Sequence, residues 1–189
     1  MEYRTPIRTL SPVTENENEA IVEALYAPLY RFALSLTGNP VEACDLTQEA
    51  FFRWLKHQDS VRDPSKAKSW LFTTLHREFL ALVRRSSRYP HRELEEVEAE
   101  LPWIEPQDVN RMDGAIVMQA LHEVEETHRA PLSLFYLESY SYQQIAVTLD
   151  MPIGTVMSRL SRGRDQLRRN LRQLMSAEDR KIIPLPRSA

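Results

Sequence analysis

Apolar residues recur at intervals of three and four along most of this chain, and runs that alternate apolar with polar residues are nearly absent. The first spacing puts side chains on one face of an α-helix, whereas alternation is the pattern of a half-buried strand. The 189 residues include only four glycines, and 42% of them are hydrophobic, which is enough for packed cores. The sequence therefore predicts an all-α protein, and its length favours two small helical bundles.

Changes in composition divide the chain into segments. Residues 88–112 carry an excess of acids and three prolines, which is typical of a linker that buries little. The first bundle is predicted to hold helices over residues 18–37, about 40–57 and about 65–85, with Asn39 as an N-cap and Pro40 at the first helical position. The predicted order is a flexible arm (1–17), a first bundle (18–87), a flexible acidic linker (88–112), a second bundle (113–175) and a frayed tail (176–189).

Within the second bundle, helices are predicted over residues 113–126 and about 128–138, followed by two more helices joined by a tight turn. Ser141 and Gln144 form a capping-box pattern that starts a short helix to about Asp150. We expect the turn over residues 151–154, with Gly154 allowing close backbone approach. The inward residues of the last helix recur at intervals of three and four: Val156, Leu160, Gly163, Leu167 and Leu171.

Helix, turn and helix is the pattern of a DNA-reading helix-turn-helix, whose second helix enters the major groove. Residues 151–175 contain six arginines against one acid, Asp165, whereas the whole chain has a net charge of only −3. A positive field confined to one segment suits contact with phosphates. The charges alone would also fit an ordinary solvated helix face, but the cap, the turn and the buried stripe favour DNA binding.

Other classes of function find little support in the sequence. The five histidines lack metal-ligand spacing, and neither a phosphate-binding glycine loop nor a cysteine–histidine pair is present. The single cysteine, Cys44, lies in a helical pattern and is expected to be a packing residue. We therefore expect no enzyme activity, no metal and no cofactor. Without a membrane-spanning run or a basic leader, the protein is expected to be soluble and cytoplasmic.

Three strings, in this order, resemble the extracytoplasmic-function (ECF) group of bacterial RNA polymerase sigma factors. DLTQEAFFRWLK (45–56) is similar to the group's polymerase-binding helix, and SWLFTTLHREFLALVRR (69–85) to its promoter-melting helix. YSYQQIAVTLDMPIGTVMSRLSRGRDQLRRNL (140–171) resembles the segment that reads the minus-35 element. The resemblance covers roughly residues 20–172.

The resemblance implies a promoter-recognition subunit whose partners are promoter DNA, the clamp helices and flap of core RNA polymerase, and in many relatives an anti-sigma factor. Polymerase-binding residues would be Asp45, Leu46, Gln48, Glu49 and Phe52. Minus-10 contacts would come from Gln58, Arg62, Lys66, Lys68, His76, Arg77 and Arg84, with Arg85 beside them. Minus-35 contacts would come from Thr155, Met157, Ser158, Arg159, Ser161, Arg162 and Arg164.

The chain departs from the group's pattern at several of these positions. His76 and Arg77 stand where relatives usually have Arg-Asn, and Ala81 replaces a frequent aspartate, so the minus-10 preference is open. Met157 stands where relatives often carry a basic residue and is expected to contact a thymine methyl instead. Trp70 fits either a core position or a stacking platform for a base, and the core is favoured.

A second interpretation remains open from the residues alone. A stand-alone helix-turn-helix regulator would carry the same DNA-reading motif, with a first bundle that senses a signal or dimerises. It would bind duplex DNA without polymerase, whereas a sigma factor of this group is expected to bind promoters appreciably only with core enzyme.

Overall fold

The computed structural model describes residues 15–57, 64–88 and 111–179, and in these ranges it contains helices and no strands. The helices are α1 (Glu15–Thr37), α2 (Pro40–His57), α3 (Ala67–Arg88), α4 (Arg111–His122), α5 (Glu126–Glu138), α6 (Tyr142–Thr148) and α7 (Ile153–Asp179). A short 3₁₀ turn, Pro64–Lys66, precedes α3. Helices α1–α3 form the first bundle and α4–α7 the second, which confirms the all-α, two-bundle prediction.

The local signals that start and end the helices act as expected. Gly38 ends α1 with a positive φ of 67°, and the Asn39 side chain accepts hydrogen bonds from the first backbone amides of α2. Ser141 and Gln144 form the reciprocal capping box at the start of α6. These bonds satisfy amides that a helix N-terminus would otherwise leave unpaired.

Several helix boundaries differ from the sequence-based ones. Helices α1, α4 and α5 begin two or three residues earlier than expected, and α4 ends at His122. Because α5 starts at Glu126, Pro131 lies in its second turn and not in its first. Helix α6 ends at Thr148, Asp150 takes a positive φ of 51°, and α7 continues beyond residue 175 to Asp179.

The core contains most of the apolar residues that the periodicity selects. Leu29, Phe32, Trp54, Leu71 and Leu75 are fully buried in the first bundle. Cys44 is also buried, as expected. Four large apolar or aromatic side chains that the helical spacing would also favour for the core are exposed at 38–50% of their surface: Val41, Leu55, Val117 and Tyr136. The apolar stripe of a helix is thus narrower than a count of hydrophobic residues suggests.

The two bundles pack directly against each other, which the sequence did not predict. Helix α1 contacts α2 and α3 on one side and α4 and α5 on the other, and α3 contacts α6. The buried side chains of both bundles form one continuous cluster. Hydrogen bonds cross the boundary: Ser35 Oγ lies 2.8 Å from Ser133 Oγ, and Arg129 Nη1 donates to the carbonyl of Leu36 at 2.7 Å.

Two glycines have packing roles that differ from the one expected for Gly154. A Cβ on Gly154 would meet no atom within 4 Å, so the close approach predicted there is wrong. At Gly38, by contrast, a Cβ would clash with the ring of His122, and at Gly163 it would lie 2.8 Å from Leu132 Cδ1. The tight contacts are therefore at Gly38, between the bundles, and at Gly163, beneath α7.

Replacing Gly38 by Ala should destabilise the protein by about 2 kcal/mol or more. The left-handed backbone alone costs roughly 1–2 kcal/mol for a residue with a Cβ, and the His122 ring would have to move as well. Urea denaturation measures the loss. Gly154→Ala is the matched control, because it lies in a helix with open space around it and should be neutral or stabilising by up to about 1 kcal/mol. Equal effects of the two variants would contradict this account.

Candidate nucleic-acid and partner interfaces

The outer face of α7 forms one wall of an open groove, and the start of α5 forms the other. We call it the α7 groove; its lining residues are Glu125, Thr127, His128, Thr155, Ser158, Arg159, Arg162, Asp165, Gln166 and Arg169. Ser158 and Arg162 are exposed, Thr155 is half-buried, and Ser158 Oγ donates to the carbonyl of Thr155 at 3.0 Å. Three arginines and several hydroxyls along one helix face suit contact with phosphates and base edges.

The other flank of α7 carries the remaining predicted minus-35 residues. Met157, Ser161 and Arg164 are all exposed, and Met157 keeps 53% of its surface accessible. They follow one another at intervals of four and three, so they share a face of the helix. The structure therefore brings the seven predicted residues onto the outer surface of α7, although Arg159 and Thr155 are only partly accessible.

Contacts beneath α7 hold this outer surface in place. Val156, Leu160 and Gly163 are buried against the second bundle. Two side chains of α7 also form hydrogen bonds to the backbone of the segment before it. Gln166 Oε1 accepts from the backbone amide of Glu125, and Asn170 Nδ2 donates to the carbonyl of Ala120. Because the inward face is fixed by packing and hydrogen bonds, the outward arginines project from a rigid helix, as a DNA-reading surface requires.

The predicted minus-10 residues that the structure describes lie on α3 and on the 3₁₀ turn before it, and they face two directions. Lys66, Arg77, Arg84 and Arg85 are exposed to solvent. Lys68 and His76 instead face the second bundle, where Lys68 Nζ lies 3.0 Å from Glu138 Oε2 and His76 retains 9% of its surface. Gln58 and Arg62 lie outside the described residues. The described members of the predicted set therefore do not share one surface.

Trp70 lies next to Trp54, with an edge-on ring arrangement and centroids 5.5 Å apart. It is half-buried and packs against the core, which agrees with the favoured core interpretation. Its ring also lies 6.4 Å from that of His57, at the end of α2. The exposed basic residues of α3 are therefore anchored to the first bundle through an aromatic cluster.

Helix α2 carries an exposed face, which we call the α2 seam, made of Val41, Asp45, Gln48, Phe52 and Leu55. These residues succeed one another at intervals of four, three, four and three, and all are exposed. The spacing matches the contact face of a helix packed against other helices. Phe52 is 52% exposed, and Lys56 Nζ lies 4.0 Å from the centre of its ring.

The α2 seam contains three of the five residues predicted to bind polymerase, namely Asp45, Gln48 and Phe52, and the other two lie elsewhere. Leu46 is buried at 7% exposure, so it supports the core and does not reach a partner in this arrangement. The Glu49 carboxylate is paired with Arg53 at 2.7 Å, and Arg53 also reaches Glu78 at 3.1 Å. Val41 and Leu55, which lie on the same exposed face, were not in the predicted set, although their spacing of four and three along α2 is visible in the sequence.

Other kinds of site are not supported by the described ranges. They contain no cluster of histidine, cysteine and acidic side chains that could hold a metal ion. Their helices also include none with the length and apolar character needed to cross a bilayer.

Comparison with known proteins identifies both halves. Residues 21–89 match the sigma-70 region 2 family model, and residues 115–167 match the sigma-70 region 4 model. The ECF sigma factor SigL of Mycobacterium tuberculosis is 34% identical over 162 residues, with 82% of this chain and 91% of SigL aligned. The chain belongs to the ECF group of sigma-70 factors. It is an alternative sigma factor by family; α3 lies within the region 2 match, and the first part of α7, to residue 167, lies within the region 4 match.

Further relatives agree with this assignment. The ECF sigma factor SigE of Mycolicibacterium smegmatis is 38% identical over 144 residues. This match covers 74% of this chain and 56% of SigE. The structure of the sigma factor RpoE in complex with the anti-sigma factor NepR from Bartonella quintana has a TM-score of 0.67 and 29% identity, covering 82% of this chain and 96% of RpoE. CnrH, solved with the cytosolic domain of CnrY, has the same fold at a TM-score of 0.59 and 19% identity.

His76 should make the stability of the sigma factor depend on pH. Burial, together with the smaller effects of the nearby Arg159 and Arg77 charges, lowers the pKa of His76 to about 4. Because the unfolded value is about 6.5, the unfolded chain binds more protons between these two pH values. The contribution of the neutral imidazole to the free energy of unfolding is therefore fully present above about pH 6.5. Up to about 3 kcal/mol of that free energy is lost as the pH falls to about 4.

Urea denaturation at several pH values between 7.5 and 4.5 tests this prediction. His76→Gln should remove the share of the pH dependence that His76 contributes, since glutamine does not titrate. His57→Gln is the matched control, because His57 is an exposed histidine at the end of α2. An unaltered slope in the His76 variant would show that the imidazole is not held neutral by its surroundings.

Proposed function

We propose that this chain binds core RNA polymerase through the α2 seam and directs it to promoters by reading a minus-35 element with α7 and a minus-10 element with α3. The observation that carries the proposal is the placement of two different surfaces on a chain with sigma-70 regions 2 and 4. One surface is the α2 seam, which mixes apolar and polar side chains at the spacing of a helix-packing face. The other is the α7 groove, which is lined by arginines.

The chemistry of each surface fits its proposed partner. An exposed aromatic side chain among polar neighbours, as at Phe52, suits a protein interface in which a few anchors supply most of the affinity. Arg162 and Arg169, in the α7 groove, suit phosphates and guanine edges. The exposed Arg77 and Arg84 of α3 suit the backbone of a melted strand, because cationic side chains along a groove track phosphates.

The wider role follows from the same assignment. As a specificity subunit, the chain contributes recognition and not catalysis, and it acts in the cytoplasm where polymerase and promoter DNA meet. We also expect the second bundle to contact the polymerase flap. An anti-sigma factor is a further expected partner, since the related RpoE was solved in complex with one.

The competing proposal is a regulator that binds duplex DNA alone. The two are separated by transcription in vitro from a genomic DNA library with core RNA polymerase, with and without this chain, followed by sequencing of the transcripts. A sigma factor should yield discrete start sites that require the chain. Tight, sequence-specific binding of the chain to duplex DNA, with no effect on transcription, would instead identify the regulator.

Replacing Arg162 by Ala should reduce transcription from the strongest promoter in that assay about tenfold or more, while binding to core polymerase stays unchanged. One lost arginine contact to a base or phosphate costs roughly 1–3 kcal/mol. The matched control is Arg172→Ala, which removes the same charge from an exposed position of α7 outside the α7 groove. If both variants lost activity equally, net charge and not the groove would determine promoter binding.

Replacing Phe52 by Ala should weaken binding to core polymerase about tenfold or more, because truncation of a central aromatic anchor often costs at least about 2 kcal/mol. Fluorescence anisotropy of the labelled chain with core enzyme measures the affinity. Tyr136→Ala is the control, since Tyr136 is an aromatic residue of the second bundle with similar exposure, 49% against 52%. Unchanged affinity of the Phe52 variant would exclude the α2 seam as the docking surface.

A further inference from the structure

Three exposed apolar side chains lie where α6 turns into α7, and we call them the apolar patch. They are Val147 in α6 and Ile153 and Met157 in α7, which keep 70%, 48% and 53% of their surfaces accessible. Val147 and Ile153 line one shallow depression at the turn. Met157 follows Ile153 by four residues, so the two share a side of α7. Clustered exposed apolar side chains mark interaction sites more often than isolated ones do.

The charge of α7 is distributed unevenly along the helix. Residues 153–160, about two turns, contain a single arginine, whereas residues 161–172 contain five arginines and one acid. The single arginine, Arg159, is half-buried, and its Nη1 lies 4.0 Å from Met151 Sδ. The fully exposed side chains at the start of α7 are therefore apolar or small, and the charges suited to phosphates lie farther along.

This division determines what the start of α7 can recognise on DNA. The N-terminal residues of the second helix in a helix-turn-helix meet base edges in the major groove. Purine edges are read there by paired hydrogen bonds, usually from Arg, Lys, Asn or Gln. Ile153 and Met157 have no such groups. The feature of a base pair that suits an apolar side chain in the major groove is the C5-methyl group of a pyrimidine, because contact removes apolar surface of both partners from water.

We propose that the apolar patch reads the C5-methyl group of a pyrimidine in the minus-35 element, and that it accepts thymine and 5-methylcytosine alike. This inference rests on the proposed function and names a chemical group that α7 recognises. An apolar side chain forms no hydrogen bond, so it does not distinguish the O4 atom of thymine from the N4 amine of cytosine. Methylation of a cytosine at that position therefore raises transcription from the promoter.

Base analogues test the proposal in the transcription assay with core polymerase. In the minus-35 element of the strongest promoter, each thymine of either strand is replaced singly by deoxyuridine. This replacement removes the methyl group and keeps the base pair. At least one replacement should lower transcription about fourfold, which is the factor expected for the burial of one methyl-sized group.

A second arm of the experiment adds the methyl group to a different base. At the position most sensitive to deoxyuridine, the thymine–adenine pair is replaced by a cytosine–guanine pair, with the cytosine either unmodified or methylated at C5. The two templates present the same hydrogen-bonding groups, so only the methyl group distinguishes them. The methylated template should be transcribed about fourfold better than the unmodified one.

Variants of the chain show whether the methyl group is read by the apolar patch. In Ile153→Ala/Met157→Ala, thymine and deoxyuridine templates should be transcribed equally, because the side chains that cover the methyl group are removed. Met175→Ala is the matched control, since Met175 is also an exposed methionine of α7, at 59% against 53%, but lies near the other end of the helix. It should retain the full fourfold difference. Urea denaturation should give the same midpoint for both variants as for the wild type, because all three side chains are exposed.

The outcomes separate this inference from the proposed function. If deoxyuridine has no effect at any position of the minus-35 element, or if 5-methylcytosine behaves as cytosine does, the apolar patch does not read a methyl group. If the double variant loses transcription equally on thymine and deoxyuridine templates, the patch contacts another group, for example on polymerase, and the inference is again wrong. If the wild-type chain yields no transcripts that depend on it even from unmodified DNA, the proposed function itself has failed, and this inference fails with it.

Discussion

Helix α1 is the element on which the rest of the structure depends. Its apolar residues face two directions, toward α2 and α3 of its own bundle and toward α4 and α5 of the other. Leu29, Phe32 and Leu36 are at most 2% exposed as a result. A helix surrounded in this way transmits the position of one bundle to the other, so the surfaces on α2, α3 and α7 have a fixed relation while the contact lasts.

Much of this fold follows from local rules that the sequence displays. The periodicity of three and four identified every helix in the described ranges, and Asn39, Gly38 and the Ser141–Gln144 box marked helix ends correctly. These signals are local, because capping bonds and backbone dihedrals involve residues only a few positions apart. Helix boundaries shifted by two or three residues where no side-chain cap was present, as at the start of α5.

The sites were harder to predict because exposure depends on partners far along the chain. Val41 and Leu55 have the same apolar character as Leu46, yet only Leu46 is covered by other helices. Likewise, Lys68 and Arg77 both appear as basic residues of α3, but one is paired with Glu138, seventy residues away in sequence, while the other is exposed. Periodicity shows which residues share a face and does not show which faces meet.

The contact between the two bundles differs in its chemistry from a permanent core. A purely apolar contact would lose its full burial free energy on separation, because exposed hydrocarbon gains nothing from water. Here the serine hydroxyls, the Arg129 guanidinium and the Glu138 carboxylate can exchange their partners for water when the bundles part, so each bond lost is partly replaced. Interfaces of this mixed character are typical of bundles that move relative to one another within a chain. The same polar groups that fix the contact between the bundles thus reduce the free-energy cost of separating them.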